Sequence, residues 1–385
     1  MKCTFVIAEL KDVLKHLGAM KKSSRERDKI VTITVFDVEH GGRMSVERSA
    51  ADVNLSFKIP VNVEEAGSFS CRLDDLNKVL KNPLCDIGLL VSTDDSHSVT
   101  LWLEQDSFVI ETFNFVDEVP RGDGKFTDSI AIAGTLALYL FYAVLPPINP
   151  DPFCQRTIFH FCNLKAKDGT LLCQSAEPHR IHRYSDTAFK KDINFDCLLP
   201  FNIVASATKL LAARHTSNTS DVIVSYSDDI VSLSYDNFVL RAKRRHDEFL
   251  DIDKVIGQTD PKAARIVVDT NQLLNVLKQM CALVAKNPYH TVEVSKGEDV
   301  LRIAAFDHND KQIASSSVAA FVTENLKNFR VNVNYLIDAL NMPIHTKNIV
   351  ISISGDGERI RINDDCRDED FIAIVAAIRL KEKKK

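Results

Sequence analysis

The chain has 385 residues, with 48 Lys and Arg against 53 Asp and Glu, a formal charge of −5. Its 45% apolar and 26% charged composition, with 13 Gly and 12 Pro, is that of folded globular domains and excludes collagen, long coiled coil and bulk disorder. Nine cysteines, an odd number without a C-x-x-C pair, argue against a disulfide framework and point to a reducing, cytoplasmic setting.

Residues 3–7 read as a short strand, and Leu10, Val13, Leu14 and Leu17 follow at the i, i+3, i+4, i+7 spacing of an amphipathic helix. Glu9 and Lys11 interrupt any apolar core of signal-peptide length. Lys11, Lys15, Lys21, Lys22, Arg25, Arg27 and Lys29 make a basic run on and just after this helix. A second short helix is marked by Leu76, Val79 and Leu80, and the strand pair 87–92 and 99–103 follows. Turn formers at 117–124 close this first unit.

Residues 129–150 carry no formal charge, but Gly134-Thr135 and Pro146-Pro147 break the stretch. A strand at 130–133 and a buried helix at 136–145 fit it better than a membrane span of ~20 residues. A second helix (Ile203, Ala207, Leu210, Leu211) and the strands 222–226 and 230–235 complete the second unit, up to turn residues at 257–261. The third repeats the order: a strand at 266–268, a helix through Leu273, Leu274, Leu277 and Val284 with Asp269 or Thr270 as N-cap, a short helix at Leu336, Ala339 and Leu340, and strands 349–354 and 359–363. Leu80, Leu211 and Leu340 hold equivalent places, 131 and 129 positions apart. A constant period of this kind predicts three tandem α+β domains of one fold, at 1–124, 125–257 and 258–380, with a disordered basic tail at 381–385.

The chain has no Walker loop, G-x-S-x-G, H-E-x-x-H or dinucleotide fingerprint, and its two Gly-Asp-Gly runs, at 122–124 and 355–357, read as turns. His179 and His182 form an H-x-x-H beside Glu177, but further ligands are not apparent and Pro178 argues against a metal-bearing helix. Cys162 and Cys173 fall within apolar strand patterns and read as core. The expectation is a protein without catalytic residues, metal or cofactor, in which a local basic surface can hold phosphates despite the net negative charge.

Several segments carry a likeness. Ser175-Ala176-Glu177-Pro178-His179-Arg180-Ile181, Phe249-Leu250-Asp251-Ile252, Asn332-Val333-Asn334-Tyr335-Leu336 and Ala376-Ala377-Ile378-Arg379-Leu380 stand in order on the threefold repeat. They resemble the A-T-D-G-H-R-L, F-P-D-Y, N-x-x-Y-L and M-P-M-R-L segments of the bacterial DNA polymerase sliding clamp, the β subunit of the replicative polymerase. The resemblance spans essentially the whole chain. It implies half of a six-domain ring, with two chains joined head to tail, helices lining a hole threaded by duplex DNA, and sheets outside.

The partners implied are duplex DNA held without sequence preference, the replicative polymerase, a clamp loader, other proteins bearing clamp-binding peptides, and a second copy of the chain, with no membrane. Lys21, Lys22, Arg25, Arg27, Lys11 and Lys15 become candidate DNA contacts, whereas the helix at 136–145 has no Lys or Arg. Leu283 and Val284 would meet Phe108 and Ile110 of the partner, the alternative being that all four are core of one chain. A peptide pocket between domains two and three would be lined by Phe159, Ala176, Pro178, His179, Arg180, Ile181, Leu250, Lys254, Val255, Ile374, Val375, Ala376, Ala377, Ile378 and Arg379. Ala176, Pro178 and the Ala376-Ala377-Ile378 run replace the family's Thr, Gly and Met-Pro-Met, which predicts an altered slot. The divergence suits a phage or mobile-element clamp as well as a chromosomal one. Two rival readings stay open: a diverged paralogue that keeps the peptide pocket as an adaptor without loading on DNA, and a metal-dependent enzyme built on His179 and His182.

Overall fold

The computed structural model describes all residues except 21–28, 38–40, 51, 93–96, 114–124, 152, 192, 215–219, 258, 259, 261, 288, 343–346, 365–369 and 379–385. Its elements come in one order three times. The first round is β1 (Lys2–Val6), α1 (Ile7–Gly18), β2 (Ile30–Phe36), β3 (Arg43–Ala50), β4 (Val53–Glu65), β5 (Gly67–Arg72), α2 (Leu73–Val79), β6 (Ile87–Val91), β7 (Ser98–Leu103) and β8 (Asp106–Glu111). The second is β9 (Asp128–Ala133), α3 (Gly134–Val144), β10 (Phe161–Lys167), β11 (Thr170–Glu177), β12 (Arg180–Asp186), β13 (Phe195–Pro200), α4 (Phe201–Arg214), β14 (Asp221–Tyr226), β15 (Ile230–Tyr235) and β16 (Phe238–Lys243). A short helix, α5 (Ile252–Ile256), precedes the third: β17 (Ala264–Asp269), α6 (Thr270–Leu283), β18 (Thr291–Lys296), β19 (Val300–Phe306), β20 (Gln312–Val322), β21 (Phe329–Asn332), α7 (Val333–Leu340), β22 (Asn348–Ile353), β23 (Arg359–Asp364) and β24 (Phe371–Ala376).

The helices lie where the apolar spacing puts them. In α1 the buried stripe is Ile7, Leu10, Val13, Leu14 and Leu17. Asp269 caps α6 by accepting the Gln272 N–H at 2.9 Å, and Asn332 caps α7 by accepting the Asn334 N–H at 2.9 Å. The charge-free stretch is β9 and α3, and among the described residues no helix is long and apolar enough to cross a membrane. α3 begins at Gly134, two residues before the expected start, and that position requires glycine, since a Cβ there would stand 2.9 Å from both the Ser220 carbonyl oxygen and the Tyr235 ring. The 355–357 Gly-Asp-Gly is a turn, with the Gly357 N–H donating to the Ser354 carbonyl and Gly357 at φ 74.

Two antiparallel sheets of twelve strands each hold the chain together. In each round the opening strand pairs with the strand after the second helix: β1 with β6, β9 with β14, β17 with β22. The rounds are joined by the fourth strand of one and the last strand of the next, β4 with β16 and β12 with β24. These joints divide the second round, since β9 and β14–β16 enter the first sheet and β10–β13 the second. The compact units therefore number two: 1–138 with 202–245, and 139–201 with 246–385. The strands β8, β16 and β24 and the helix α5 go beyond the sequence pattern, and the turn residues at 117–124 lie outside the described residues.

Candidate functional site

Within the second unit, strands β12 and β24 pair with Ile181 opposite Ile374. These two side chains and Ile372 form an apolar floor against which Phe159, Ala176 and Ile252 pack, with Cys154, Ile158, Phe249 and Ile256 at the margin. Phe159 comes from a single 3-10 turn, Thr157–His160, and Ile252 from α5. Asp251 caps α5, accepting the Lys254 N–H at 3.4 Å and the Lys254 Nζ at 2.7 Å. That contact with the Lys254 ammonium, chiefly its hydrogen bond, holds the Asp251 carboxyl below the ordinary carboxylate range and raises Lys254. Arg183 pairs with Asp253, tying α5 to β12.

Below the floor, β11 and β12 receive the C-terminal end of α3, whose last carbonyls have no partner within the helix. His182 donates from Nδ1 to the Ala143 carbonyl at 2.8 Å, Ser175 Oγ to the Val144 carbonyl at 2.6 Å, and Arg180 Nη2 to the Pro146 carbonyl at 2.6 Å. Arg180 also donates from Nε to Glu177 at 2.5 Å and from Nη1 to Asp338, and its guanidinium lies 4.5 Å over the Tyr335 ring. Burial first, and Glu177 second, raise the Tyr335 hydroxyl. His182 is fully buried, edge-on to Phe371 at 5.6 Å, and burial lowers its pKa to about 3. This imidazole belongs to the core, whereas His179 sits in an exposed turn with Pro178, and no cluster of His, Cys, Asp and Glu suited to a metal occurs among the described residues.

The expected pocket lining is thus divided among several environments. Phe159, Ala176, Ile181 and Ile374 meet in one cluster, while Leu250, Lys254 and Val255 are exposed, each next in sequence to, or on the same short helix as, residues that touch it. Val375 points to the opposite face of β24, into the main core of the unit. Ala376, Ala377 and Ile378 are half-buried, Ile378 bridging to Arg330, and Arg379 lies outside the described residues. A solvent-open groove of about 400 Å³ adjoins the cluster through Ile256 and Ile374; of the expected residues, Val255 and Ile374 line it.

In the first unit, α1 exposes Lys11 and Lys15 on one face. Lys11 Nζ donates to the Lys81 carbonyl at 3.2 Å, and Lys15 has no hydrogen-bonding or ion-pair partner among the described residues. Asp12, between them, is 3.5 Å from both His16 and Arg214. α4 adds an exposed and likewise unpartnered Lys209, and α6 of the second unit an exposed Lys278. Those two lysines were not singled out from the sequence, although each stands on the polar side of an apolar helical stripe. α3 exposes Thr135 and Tyr142 and no cation. Lys21, Lys22, Arg25 and Arg27 lie outside the described residues.

β8 ends the first sheet. Its inner-facing Ile110 is buried, Phe108 is 36% exposed and the outward Val109 71% exposed. At the end of α6, Leu283 is 52% exposed and Val284 is buried.

Residues 259–379 match the family of the DNA polymerase III beta subunit, C-terminal domain. Over its whole length the chain has the fold of bacterial sliding clamps. Against DNA polymerase III subunit beta from Pseudomonas aeruginosa the TM-score is 0.85 at 18% identity, covering 99% of this chain and 100% of that one. For the beta subunit from Thermotoga maritima the values are 0.81 and 17%, and for the sliding clamp from Bacillus subtilis 0.83 and 16%, each with 99% of this chain and 100% of the other covered. Among curated proteins, none matches in sequence.

Proposed function

We propose that the chain is a DNA sliding clamp: two copies close head to tail around duplex DNA and tether a polymerase, with no catalysis of their own. One observation carries the ring. Both internal joints use the first part of a round's fourth strand, residues 53–57 of β4 and 180–184 of β12, against the last strand of the next round. The corresponding part of β20 has β19 on one side and, among the described residues, no strand on the other, because β17 takes only residues 320–322. Its complement, β8, is the remaining last strand. Val61 in β4 and Ala320 in β20 face the second residue before the first helix of their rounds, Phe5 and Val268. Counting from them, the register of the β4–β16 joint puts Phe108 opposite Ala314 and Val109 opposite Ile313 of a second copy. Val109 and Ile313, 71% and 45% exposed, would then cover each other as Ile374 and Ile181 do. A heterologous joint of this kind must close on itself or grow into a filament, and closure after two copies gives six rounds.

Lys11, Lys15, Lys209 and Lys278 are suited to phosphates, and a sliding protein gains from contacts that ignore base identity. The cluster of Phe159, Ala176, Ile181 and Ile374, together with Leu250 and Val255, is the candidate slot for an extended peptide from a polymerase, loader or repair protein. Leu250→Ser is expected to weaken a Gln-Leu-Ser-Leu-Phe peptide about tenfold in a fluorescence titration; unchanged affinity would remove Leu250 from the site.

The joint is tested by a Val109→Cys/Ile313→Cys double variant, since directly opposed strand residues come within disulfide reach. Oxidation should yield covalent dimers on a reducing-agent-free gel, and Val109→Cys/Ser316→Cys, on opposite faces, should not. Equal yields would refute this register. Chains that form the dimer and bind peptide, yet fail to stay on nicked circular DNA until it is linearised, would instead be adaptors.

A further inference from the structure

The groove beside the apolar cluster is used by none of the roles above. On the face of the second sheet away from α6 and α7, Ser352, Arg361 and Ile374 stand side by side on β22, β23 and β24, with Arg359 and Ala376 in the next row. Val255, Ile256, Asp260 and Ala263 complete the lining of this groove, which stays open to solvent. The cations here differ in what they already hold. Arg359 donates from Nη1 to the Val255 carbonyl at 3.2 Å and lies in the field of Asp356. Asp260 accepts the Lys262 and Gly355 N–H groups, each at 2.9 Å, which hold its carboxyl below the ordinary range. Arg361 is half-buried, and its guanidinium has no hydrogen bond or ion pair with any described residue. The Ser354 hydroxyl is already committed to Asp356, which also accepts the Glu358 N–H. With both nearby carboxylates, Asp260 and Asp356, thus held by the chain's own donors, the Arg361 guanidinium, a permanently charged fork of five donors beside the Ser352 hydroxyl, is the group left to receive a planar anion.

We propose that this pocket takes a carboxylate of the same peptide whose apolar side chains enter the neighbouring slot, supplied by an Asp or Glu beside the anchors; the inference rests on reading that slot as a peptide site. Ile374 makes the link, because it is part of the apolar cluster and also lines the pocket. Nucleic acid fits less well. Val255, Ile256 and Ile374 make one wall apolar, and Lys278 is on a helix packed against the opposite face of the sheet.

The test uses fluorescein-labelled Gln-Leu-Ser-Leu-Phe peptides flanked at either end by two Glu or by two Gln. On the wild-type chain at low salt one Glu-flanked form should bind about tenfold more tightly than its Gln twin, and the gap should shrink as salt is added. Arg361→Gln should reduce the gap to under about twofold, and Arg361→Glu should invert it, with the Gln-flanked affinity unchanged as the control for folding. Equal affinities on wild type, or a gap that survives Arg361→Gln, overturn this inference and leave the slot intact. If neither form binds, the slot reading falls and this inference with it. If Arg361→Gln weakens a labelled 20-base-pair duplex and leaves the peptide gap unchanged, the arginine serves nucleic acid and the inference is overturned.

Discussion

Arg180 and His182 sit two residues apart on β12 and do related work by different means. Arg180 satisfies two carboxylates, a carbonyl and an aromatic face at once, so its removal leaves Glu177 and Asp338 facing each other and the Pro146 carbonyl bare. Arg180→Ala is expected to cost about 3 kcal/mol or more in urea denaturation, as for breaking a part-buried ion network from one side; a loss under about 1 kcal/mol would mean the network is replaced by water.

His182 acts through its neutral form. Its folded pKa is about 3, against an ordinary 6.5, because burial disfavours the imidazolium. Between those values the unfolded chain binds more protons, so this group's contribution to stability is full above about pH 6.5 and is lost as pH falls. From pH 7 to pH 5 the wild-type chain should lose about 2 kcal/mol more than His182→Gln; parallel losses would place the pH dependence elsewhere. Sequence alone marks His182 as part of an H-x-x-H with His179, and the family likeness places Arg180 in the lining of a peptide pocket. Neither distinguishes them as supports for the end of α3 from groups facing a ligand, since that depends on where carbonyls 143, 144 and 146 arrive.

At the scale of elements, local signals are dependable where local physics decides. The apolar stripe of α1 and the Asp269 cap of α6 are both legible in the chain and present in the fold. Asp269→Ala should cost ~1 kcal/mol, since the Gln272 N–H then loses its acceptor; a change within error by thermal or urea melting would show the cap to be dispensable. The last strands of the rounds escape notice for a physical reason. β8 reads Asp-Ser-Phe-Val-Ile-Glu, with apolar residues on both faces, so no period-2 pattern marks it. α5 has five residues, too few for a 3.6 period to register.

For the whole molecule, the threefold period is readable as leucines about 130 residues apart, but the division into two units is not. It depends on β4 meeting β16 and β12 meeting β24 across more than 180 residues of chain, pairings that no local pattern encodes. The same lack of local signal explains the pocket. Its lining was expected from likeness by position, and the fold closes Phe159, Ala176, Ile181 and Ile374 into a cluster while opening the neighbouring space under Arg361. Val109→Asp would set an uncompensated charge where Ile313 of a second copy should lie, and the dimer should weaken at least tenfold. Everything assigned to DNA requires that dimer. Sedimentation equilibrium over a dilution series is the direct measurement: a mass twice the 43.1 kDa of one chain, falling to one chain at higher concentration in Val109→Asp than in wild type, is predicted. A single-chain mass at every concentration, or a mass that keeps rising past two chains, would contradict the closed ring.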